Sequence, residues 1–375
     1  MRPASAREGS APADLPGLTG IRFIAAFWVV CYHAMPRTDL PAPVAAVIAG
    51  GYSGVSLFFV LSGFILAHVY GDAAAPGSRF PTRSFLVARA ARVYPAYLAA
   101  LVFALPALVR ELQVNPDAPT GLRLGGVCLS TVSMLQAWVP GWGCWWNCTG
   151  WSLSAEAFFY LAFPFLAPRL VRMSAGSLVG VGIVAWLFAL SLAPFTTADV
   201  AIEGAWTGSP FQLPGLTAWT PLVRLPEFII GICASRALRS TARLPRVEWI
   251  AGSVAVLAVV GVAALPPSNM RNLLLWPGLS LAYAVLIGAL ASPRHRSPLS
   301  SRLFQRLGNA SYSLYLIHAV AHGYVLALIN RTWGREHAGG WLVFILYVSL
   351  VLAMSLVLHD AIELPARRRL RAAFA

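Results

Sequence analysis

Arg22 and His33 stand eleven residues apart in the first apolar stretch of the chain, GLTGIRFIAAFWVVCYHAM. Eleven residues of α-helix make three full turns plus about 20°, so both side chains leave one face, roughly 16 Å apart. An ionisable group inside a membrane span costs about 2.5–3.5 kcal/mol on insertion scales and is therefore a functional candidate. The spacing predicts a ligand path along this helix face, from a cation to a titratable base.

Each member of this pair also has a simpler interpretation. Arg22 lies near the predicted start of its span, from which its side chain can reach the cytoplasmic headgroups. His33 lies twelve residues into the span, where a neutral imidazole can be the hydrogen-bonding partner of a neighbouring helix. An imidazole titrates near neutral pH, so His33 is equally suited to act as a general base toward a hydroxyl.

A second basic motif follows the second apolar stretch, in RFPTRSFLVARAARVYP. Arg89 and Arg92 are three residues apart and share a helix face at the predicted cytoplasmic mouth. Two guanidinium groups so placed can bind phosphate oxygens bidentately. The alternative is the ordinary positive charge of a cytoplasmic membrane border.

Carboxylates occur inside two other apolar stretches. Glu156 lies in GWSLSAEAFFYLAFPFL with Tyr160 one turn later, and it can orient a histidine, accept a proton, or pair with another helix. Arg224 and Glu227 lie three residues apart in PLVRLPEFIIG, which indicates either a mutual ion pair or contacts with a polar acceptor. We include Tyr160, Arg224 and Glu227 in a predicted substrate site.

The remaining polar candidates are histidines and a serine within apolar stretches. His318, in ASYSLYLIHAV, is predicted near mid-membrane as a substrate-site or second catalytic residue, or as a structural hydrogen-bonding partner. His359, Asp360 and Glu363, near the end of the last stretch, favour local pairing at the membrane surface over catalysis. Ser62 and the adjacent glycine favour close helix packing over nucleophilic catalysis. No HExxH, CxxC or glycine-rich phosphate motif is present, and we predict no metal site.

The composition indicates a membrane protein that positions these residues on helices. Of the 375 residues, 58% are hydrophobic and 11% are charged, against about 25% charged in a soluble domain. Ten apolar stretches reach spanning length. They are residues 21–37, 53–70, 93–110, 151–167, 176–194, 218–235, 247–265, 272–291, 308–329 and 341–360. The predicted fold is all-α, with about ten transmembrane helices.

The distribution of arginine orients these spans, and the chain has no lysine. With the N-terminus in the cytoplasm, the inner side receives Arg2, Arg7, Arg79, Arg83, Arg89, Arg92, Arg169, Arg172, Arg236, Arg239, Arg243, Arg246, Arg294, Arg296, Arg302, Arg306, Arg367, Arg368, Arg369 and Arg371. The outer side receives only Arg37, Arg110, Arg123, Arg224, Arg271, Arg331 and Arg335. The positive-inside rule therefore predicts two cytoplasmic termini. Attraction to anionic lipids accounts for the net charge of +14, so no nucleic-acid partner is predicted.

The domain organisation is predicted from the ends of the apolar region. Residues 1–17 are a Pro/Ala-rich, disordered cytoplasmic arm, 18–366 a membrane domain, and 367–375 a basic cytoplasmic tail. An outward loop at about 111–150 is apolar enough to contain a helix lying at the outer leaflet. It carries Cys144 and Cys148, which are either bridged or, as the composition favours, free thiols in a tryptophan-rich loop.

Taken together, the motifs resemble those of the integral-membrane acyltransferase family 3. The matching segments are RFIAAFWVVCYHA, GYSGVSLFFVLSGFIL, RAARVYP, WSLSAEAFFYLAFP, RLPEFIIG, SYSLYLIH and IELPARR, and they follow the order of the family over nearly the whole chain. The resemblance implies O-acylation of carbohydrates or glycosylated small molecules such as macrolides. It implies that His33 is the catalytic base, that Arg89 and Arg92 lie near acyl-CoA at the cytoplasmic side, and that Glu156 is the family's motif glutamate.

The candidate site residues and the family resemblance lead to the same hypothesis. Acyl-CoA, most simply acetyl-CoA, is the co-substrate; its phosphates bind Arg89 and Arg92, and Arg22 assists at the mouth. The pantetheine arm runs along the first helix to His33, which, oriented by Glu156, deprotonates an acceptor hydroxyl in the cell membrane. Transfer through an acyl-histidine stays open. The alternatives from other classes are a transporter of a polar metabolite and a non-catalytic membrane scaffold.

Overall fold

The structure is a computed structural model that describes residues 15–37, 39–74, 80–196, 216–239, 245–292, 297–334 and 339–374. Most of the predicted N-terminal arm, residues 1–14, lies outside these ranges. So do seven of the arginines used to predict topology: Arg2, Arg7, Arg79, Arg243, Arg294, Arg296 and Arg335.

The described residues form an all-α protein, as predicted, and no β-strand occurs among them. The helices are α1 (Pro16–Ala34), α2 (Ala42–Ala49), α3 (Gly54–Tyr70), α4 (Thr82–Val114), α5 (Gly121–Val132), α6 (Trp151–Leu170), α7 (Ala175–Leu192), α8 (Pro221–Arg239), α9 (Pro245–Ala263), α10 (Asn269–Leu273), α11 (Ser280–Leu290), α12 (Arg302–Thr332), α13 (Trp341–Leu358) and α14 (Leu364–Phe374).

Seven helical segments of the described chain are long and apolar enough to cross a membrane, or eight if the bent pair of α10 and α11 forms one span. Each of the ten predicted stretches overlaps a helix or that bent pair. Two predicted stretches lie in helices outside these seven or eight segments, namely α6 and α8. Glu156 interrupts the apolar run of α6, and Arg224 and Glu227 interrupt that of α8. The protein is thus a multi-pass membrane protein, and ten spans with cytoplasmic termini stay a prediction.

Two prolines set the limits of α1. Pro16 occupies its first turn, where a missing N–H costs nothing, and Met35 turns to extended backbone before Pro36. The helix therefore begins five residues earlier than the predicted span and ends three residues earlier. This corrects the expected depths: Arg22 is the seventh residue of the helix, while His33 lies in its last turn and is exposed rather than deep in the span.

The helix α4 also begins earlier than its predicted span, at Thr82 rather than residue 93. Its 33 residues include Pro95 and Pro106, and its N-terminal third carries Arg89 and Arg92 into the protein. Because the charged first turns are part of the helix, the two arginines are held on a rigid element rather than in a loop.

Close packing of α3 against α8 depends on two glycines. A methyl group on Gly63 would collide with the backbone carbonyl of Phe228, and one on Gly231 would collide with that of Val60. The predicted packing role of the Ser62–Gly63 pair is thus supported at Gly63. α1 packs against α12 and α3, and α12 packs against α13, which encloses the main hydrophobic core.

The loop at about 111–150, which is predicted to face outward, contains α5 and is tied to α12. The Asn147 side-chain amide donates to the Leu316 carbonyl at 3.0 Å, and the Thr149 hydroxyl reaches both that oxygen and Asn147 Oδ1. A disulfide joins Cys144 to Cys148, in place of the free thiols that the composition favoured. The loop is therefore anchored at the level of His318, two residues along α12.

Candidate active site

A cavity opens among α1, α3, α4, α6 and α12 and holds about 770 Å³ of space free of protein atoms, its open mouth included. Its polar lining is formed by Arg22, Ser62, Arg89, Arg92, Ser152, Glu156, Tyr160, Tyr312 and Tyr315, and its apolar lining comes mainly from α3. Four residues predicted from separate motifs, the three arginines and Glu156, thus line one space together with Tyr160.

The three arginines make this cavity positively charged. Arg89 is buried; its Nη2 lies 3.4 Å from the Tyr70 hydroxyl, and its guanidinium carbon lies 5.6 Å from the Tyr70 ring centre. Arg22 lies within electrostatic range of Arg92 and of two carboxylates, Glu156 and Glu363. Three cations against two carboxylates leave an excess positive charge, which favours an anionic ligand such as a phosphate.

Glu156 belongs to the cavity rather than to the histidine. Its Oε1 accepts hydrogen bonds from the Tyr160 hydroxyl at 2.5 Å and from the Ser62 hydroxyl at 3.2 Å. Among the described residues, the hydrogen-bonding partners of His33 are Val29 and His318, not Glu156. The predicted orientation of His33 by Glu156 is therefore wrong as a direct contact, because α6 directs this carboxylate toward α3.

His33 and His318 meet where α1 crosses α12. His33 Nδ1 lies 2.9 Å from the Val29 carbonyl and 3.3 Å from His318 Nε2, and the two ring centres are 5.0 Å apart. His318 is fully buried, and its Nδ1 lies 2.7 Å from the Tyr315 carbonyl. His33 thus has a partner on a neighbouring helix and remains exposed to a ligand.

Tyr315 connects the cavity to the two histidines. Its ring lines the cavity, lies 5.7 Å from the His318 ring, and its hydroxyl accepts a hydrogen bond from Ser152 at 2.9 Å. Phe58 packs at its edge, with ring centres 6.1 Å apart. His33 and His318 are not among the residues that line the cavity, and Tyr315 is the lining residue that packs beside His318.

Arg224 and Glu227 form a buried ion pair outside the cavity lining. Arg224 Nη1 lies 3.3 Å from Glu227 Oε2, and both side chains are almost fully buried. The guanidinium group also donates to the Ala218 carbonyl at 2.7 Å and lies 4.1 Å from the Trp276 ring centre. This geometry agrees with the structural interpretation of the pair; neither residue lines the cavity.

Glu363 has more contacts than the local pairing predicted from the sequence. It pairs locally with His359, as predicted, at 2.9 Å from His359 Nδ1, and it also accepts a hydrogen bond from Ser313 at 3.0 Å. It lies at the end of a π-helical turn, His359–Glu363, and within electrostatic range of Arg22. An acidic residue three positions after the last apolar stretch was the available signal, but its proximity to Arg22 of α1 could be found only from the packing.

Comparison with known proteins extends these observations. The sequence model Acyl_transf_3, described as an acyltransferase domain, matches residues 15–360. The chain is 29% identical over 387 residues to the acyltransferase MdmB of Streptomyces mycarofaciens, covering 95% of this chain and 92% of MdmB. It is 23% identical over 391 residues to the O-acetyltransferase OatA of Staphylococcus aureus, covering 97% of this chain and 59% of OatA. No solved structure matches the chain.

Proposed function

This chain belongs to acyltransferase family 3, and from that premise we propose that it is an O-acyltransferase of the cell membrane that uses acyl-CoA. The acyl group, most simply acetyl, passes to a hydroxyl of a carbohydrate or a glycosylated small molecule such as a macrolide. The observation that carries the proposal is the single cavity that gathers Arg22, Arg89 and Arg92 beside the helix that bears His33.

The arginines account for the choice of donor. Coenzyme A carries several phosphate oxygens, which suit guanidinium groups on a rigid helix. From Arg22 to His33 the helix rises about 16 Å, on the order of an extended pantetheine arm. A donor with its phosphates at Arg89 and Arg92 can thus extend its thioester along α1 toward Tyr315 and the histidines.

The geometry of His33 accounts for the transfer step. A carbonyl oxygen can only accept, so the contact with Val29 places a proton on His33 Nδ1 and leaves the Nε2 lone pair available. Nε2 removes the proton of the acceptor hydroxyl, whose oxygen bonds to the thioester carbonyl carbon. The carbon–sulfur bond then breaks, and the thiolate takes the proton back from His33 Nε2, which restores the neutral imidazole and releases free coenzyme A. The products are one ester and one thiol.

The exposed end of α1 accounts for acceptor access. His33 is exposed in the last turn of the helix, whereas the donor cavity lies along its earlier part. The donor and the acceptor therefore approach the base from opposite directions. With the predicted topology, coenzyme A enters from the cytoplasm and the acceptor from the outer side.

The test of the base uses purified protein in detergent with labelled acetyl-CoA and a panel of methyl glycosides and glycosylated macrolides. We expect ester formation by the wild type and a loss of about 10²–10⁴-fold in His33→Ala, which is the range of general-base contributions. Leu328→Ala, an exposed position on the neighbouring helix α12, is the control. Sustained ester formation by His33→Ala would exclude the base.

The donor site is tested separately by thermal-shift titration with coenzyme A. We expect Arg92→Gln to weaken coenzyme A binding about tenfold, as loss of one charge-assisted contact predicts, and Arg89→Gln to do the same if it folds. Arg83→Gln is the matched control, because Arg83 lies on the same helix but is exposed and outside the cavity. Equal stabilisation of all variants by coenzyme A would refute the phosphate site, and a transporter or scaffold would then regain support.

A further inference from the structure

The contact between His33 and His318 joins two helices through two imidazole rings. Nδ1 of His33 and Nε2 of His318 are 3.3 Å apart, with the rings inclined at 58°. His318 lies in the middle of α12 and has no exposed surface, whereas His33 is exposed. One ring of the pair can therefore meet a ligand, and the other can act only through its neighbour.

The backbone contacts determine which nitrogen of each neutral ring carries its proton. The Tyr315 carbonyl can only accept, so His318 Nδ1, 2.7 Å away, is protonated and His318 Nε2 carries a lone pair. By the same reasoning His33 Nδ1 is protonated by its contact with the Val29 carbonyl. The Nδ1–H of His33 then donates both to the Val29 carbonyl and to Nε2 of His318. The donor and the acceptor assigned to each ring therefore agree.

We propose that His318 is a positioning residue, which holds His33 in its reactive tautomer and stabilises the imidazolium that forms when Nε2 takes up the acceptor proton. The proton moves from the acceptor oxygen to His33 Nε2, and the Nδ1–H of His33 becomes a stronger donor toward His318 Nε2. The catalytic part of this inference rests on the proposed function, whereas the hydrogen-bonded pair does not.

His318 is itself rigidly held, which a positioning residue requires. Its backbone carbonyl accepts a hydrogen bond from the buried Tyr347 at 3.0 Å, and its ring packs beside Tyr315. Arg37 and His322 are the nearby ionisable groups that act on this pair electrostatically, and the His322 ring packs against Tyr347. Unlike a carboxylate, a neutral imidazole stabilises the developing cation without a permanent buried charge, which would be costly to desolvate.

Two substitutions separate this role from simple packing. His318→Phe keeps a ring of similar size but removes the lone pair, and His318→Gln offers an amide oxygen near the position of Nε2. Leu328→Phe, an exposed position further along α12, is the matched control. We measure kcat and KM for acetyl-CoA with the acceptor that the wild type modifies best, together with the midpoint of thermal unfolding.

We expect kcat of His318→Phe to fall by about 100-fold with KM unchanged, below the ~10⁴-fold seen when a charged orienting group of a catalytic histidine is neutralised. His318→Gln is expected to recover at least tenfold of that loss, and Leu328→Phe to stay within about twofold of the wild type. Equal losses in Gln and Phe variants of unchanged stability, or a kcat near wild type in His318→Phe, would overturn the proposal.

A chemical readout tests the pair without the enzymatic reaction. Diethylpyrocarbonate acylates a neutral imidazole nitrogen, and its rate at His33 can be followed by mass spectrometry at pH 8. We expect slower labelling of His33 in His318→Phe than in wild type and near-wild-type labelling in His318→Gln. If no acetyl transfer occurs but the labelling rate of His33 still depends on residue 318, the proposed function is wrong and the His33–His318 interaction is supported. If acetyl transfer requires His33 but neither kcat nor the labelling rate depends on residue 318, the proposed role of His318 is wrong.

Discussion

Glu156 illustrates how far residue types alone can predict a site. The motif analysis placed a carboxylate, three arginines and a histidine in one mechanism, and the structure gathers the carboxylate and the arginines in one cavity. The motifs could not predict which side chains form hydrogen bonds with the carboxylate. That choice depends on the rotation of α6, which turns Glu156 toward Ser62 of α3, and rotation is a property of packing between helices rather than of local sequence.

We expect Glu156→Gln to lower kcat by about tenfold while leaving the thermal unfolding midpoint nearly unchanged. The amide oxygen still accepts from Ser62 and Tyr160, but the negative charge within range of Arg22 is lost. Glu156→Ala, which also leaves both hydroxyls without this acceptor, is expected to be less stable. A loss in Glu156→Gln as large as that in His33→Ala would instead favour a role of Glu156 at the base.

At the scale of elements, the apolar stretches predicted where the helices lie but not the residues at which they begin and end. Apolar stretches reveal the part of a helix that lies in lipid, but α1 and α4 continue beyond it into polar sequence, starting at Pro16 and Thr82. The extra turns of α4 matter because they place Arg89 and Arg92 within regular helix. Proline positions were the available signal for α1, whereas the start of α4 is stabilised by packing that the sequence pattern does not show.

The contact of α3 with α8 leads to a prediction about stability. We expect Gly63→Val to lower the thermal unfolding midpoint by several degrees, because the new side chain would meet the Phe228 carbonyl and force the helices apart. Gly180→Val on the exposed face of α7 is the control, since nothing lies within 4 Å of its added carbon atom. Fluorescence-detected unfolding in detergent measures both, and equal stability of the two variants would contradict the tight contact.

At the scale of the whole molecule, the charged residues inside the membrane domain make its spanning helices harder to count. The helices α6 and α8 contain two of the ten predicted stretches but fall outside the seven or eight helical segments of the described chain that are apolar enough to span, and they carry Glu156 and the Arg224–Glu227 pair. A buried ion pair or a hydrogen-bonded carboxylate lowers the average apolarity of a helix without exposing charge to lipid. The fold class was therefore predictable, whereas the number of spans depends on how these two helices are counted.

The orientation of the molecule is tested with reporters. We expect a C-terminal fusion to green fluorescent protein to be fluorescent and the same fusion to alkaline phosphatase to be inactive, because twenty arginines favour the cytoplasm on the side of both termini. An alkaline phosphatase fusion after residue 117, in the outward loop, is the control and should be active. Active phosphatase at the C-terminus would reverse the orientation, and with it the side from which each substrate arrives.

The continuous helix α1 carries Arg22 into the cavity and His33 to its partner on α12, with no break between them. Inserting or deleting one residue between the two would rotate one against the other by about 100° and shift it by 1.5 Å. Substitutions in this interval can be absorbed singly by neighbouring side chains, but a change of length cannot. The interval between Arg22 and His33 thus acts as a spacer, in which the number of residues matters more than their identity.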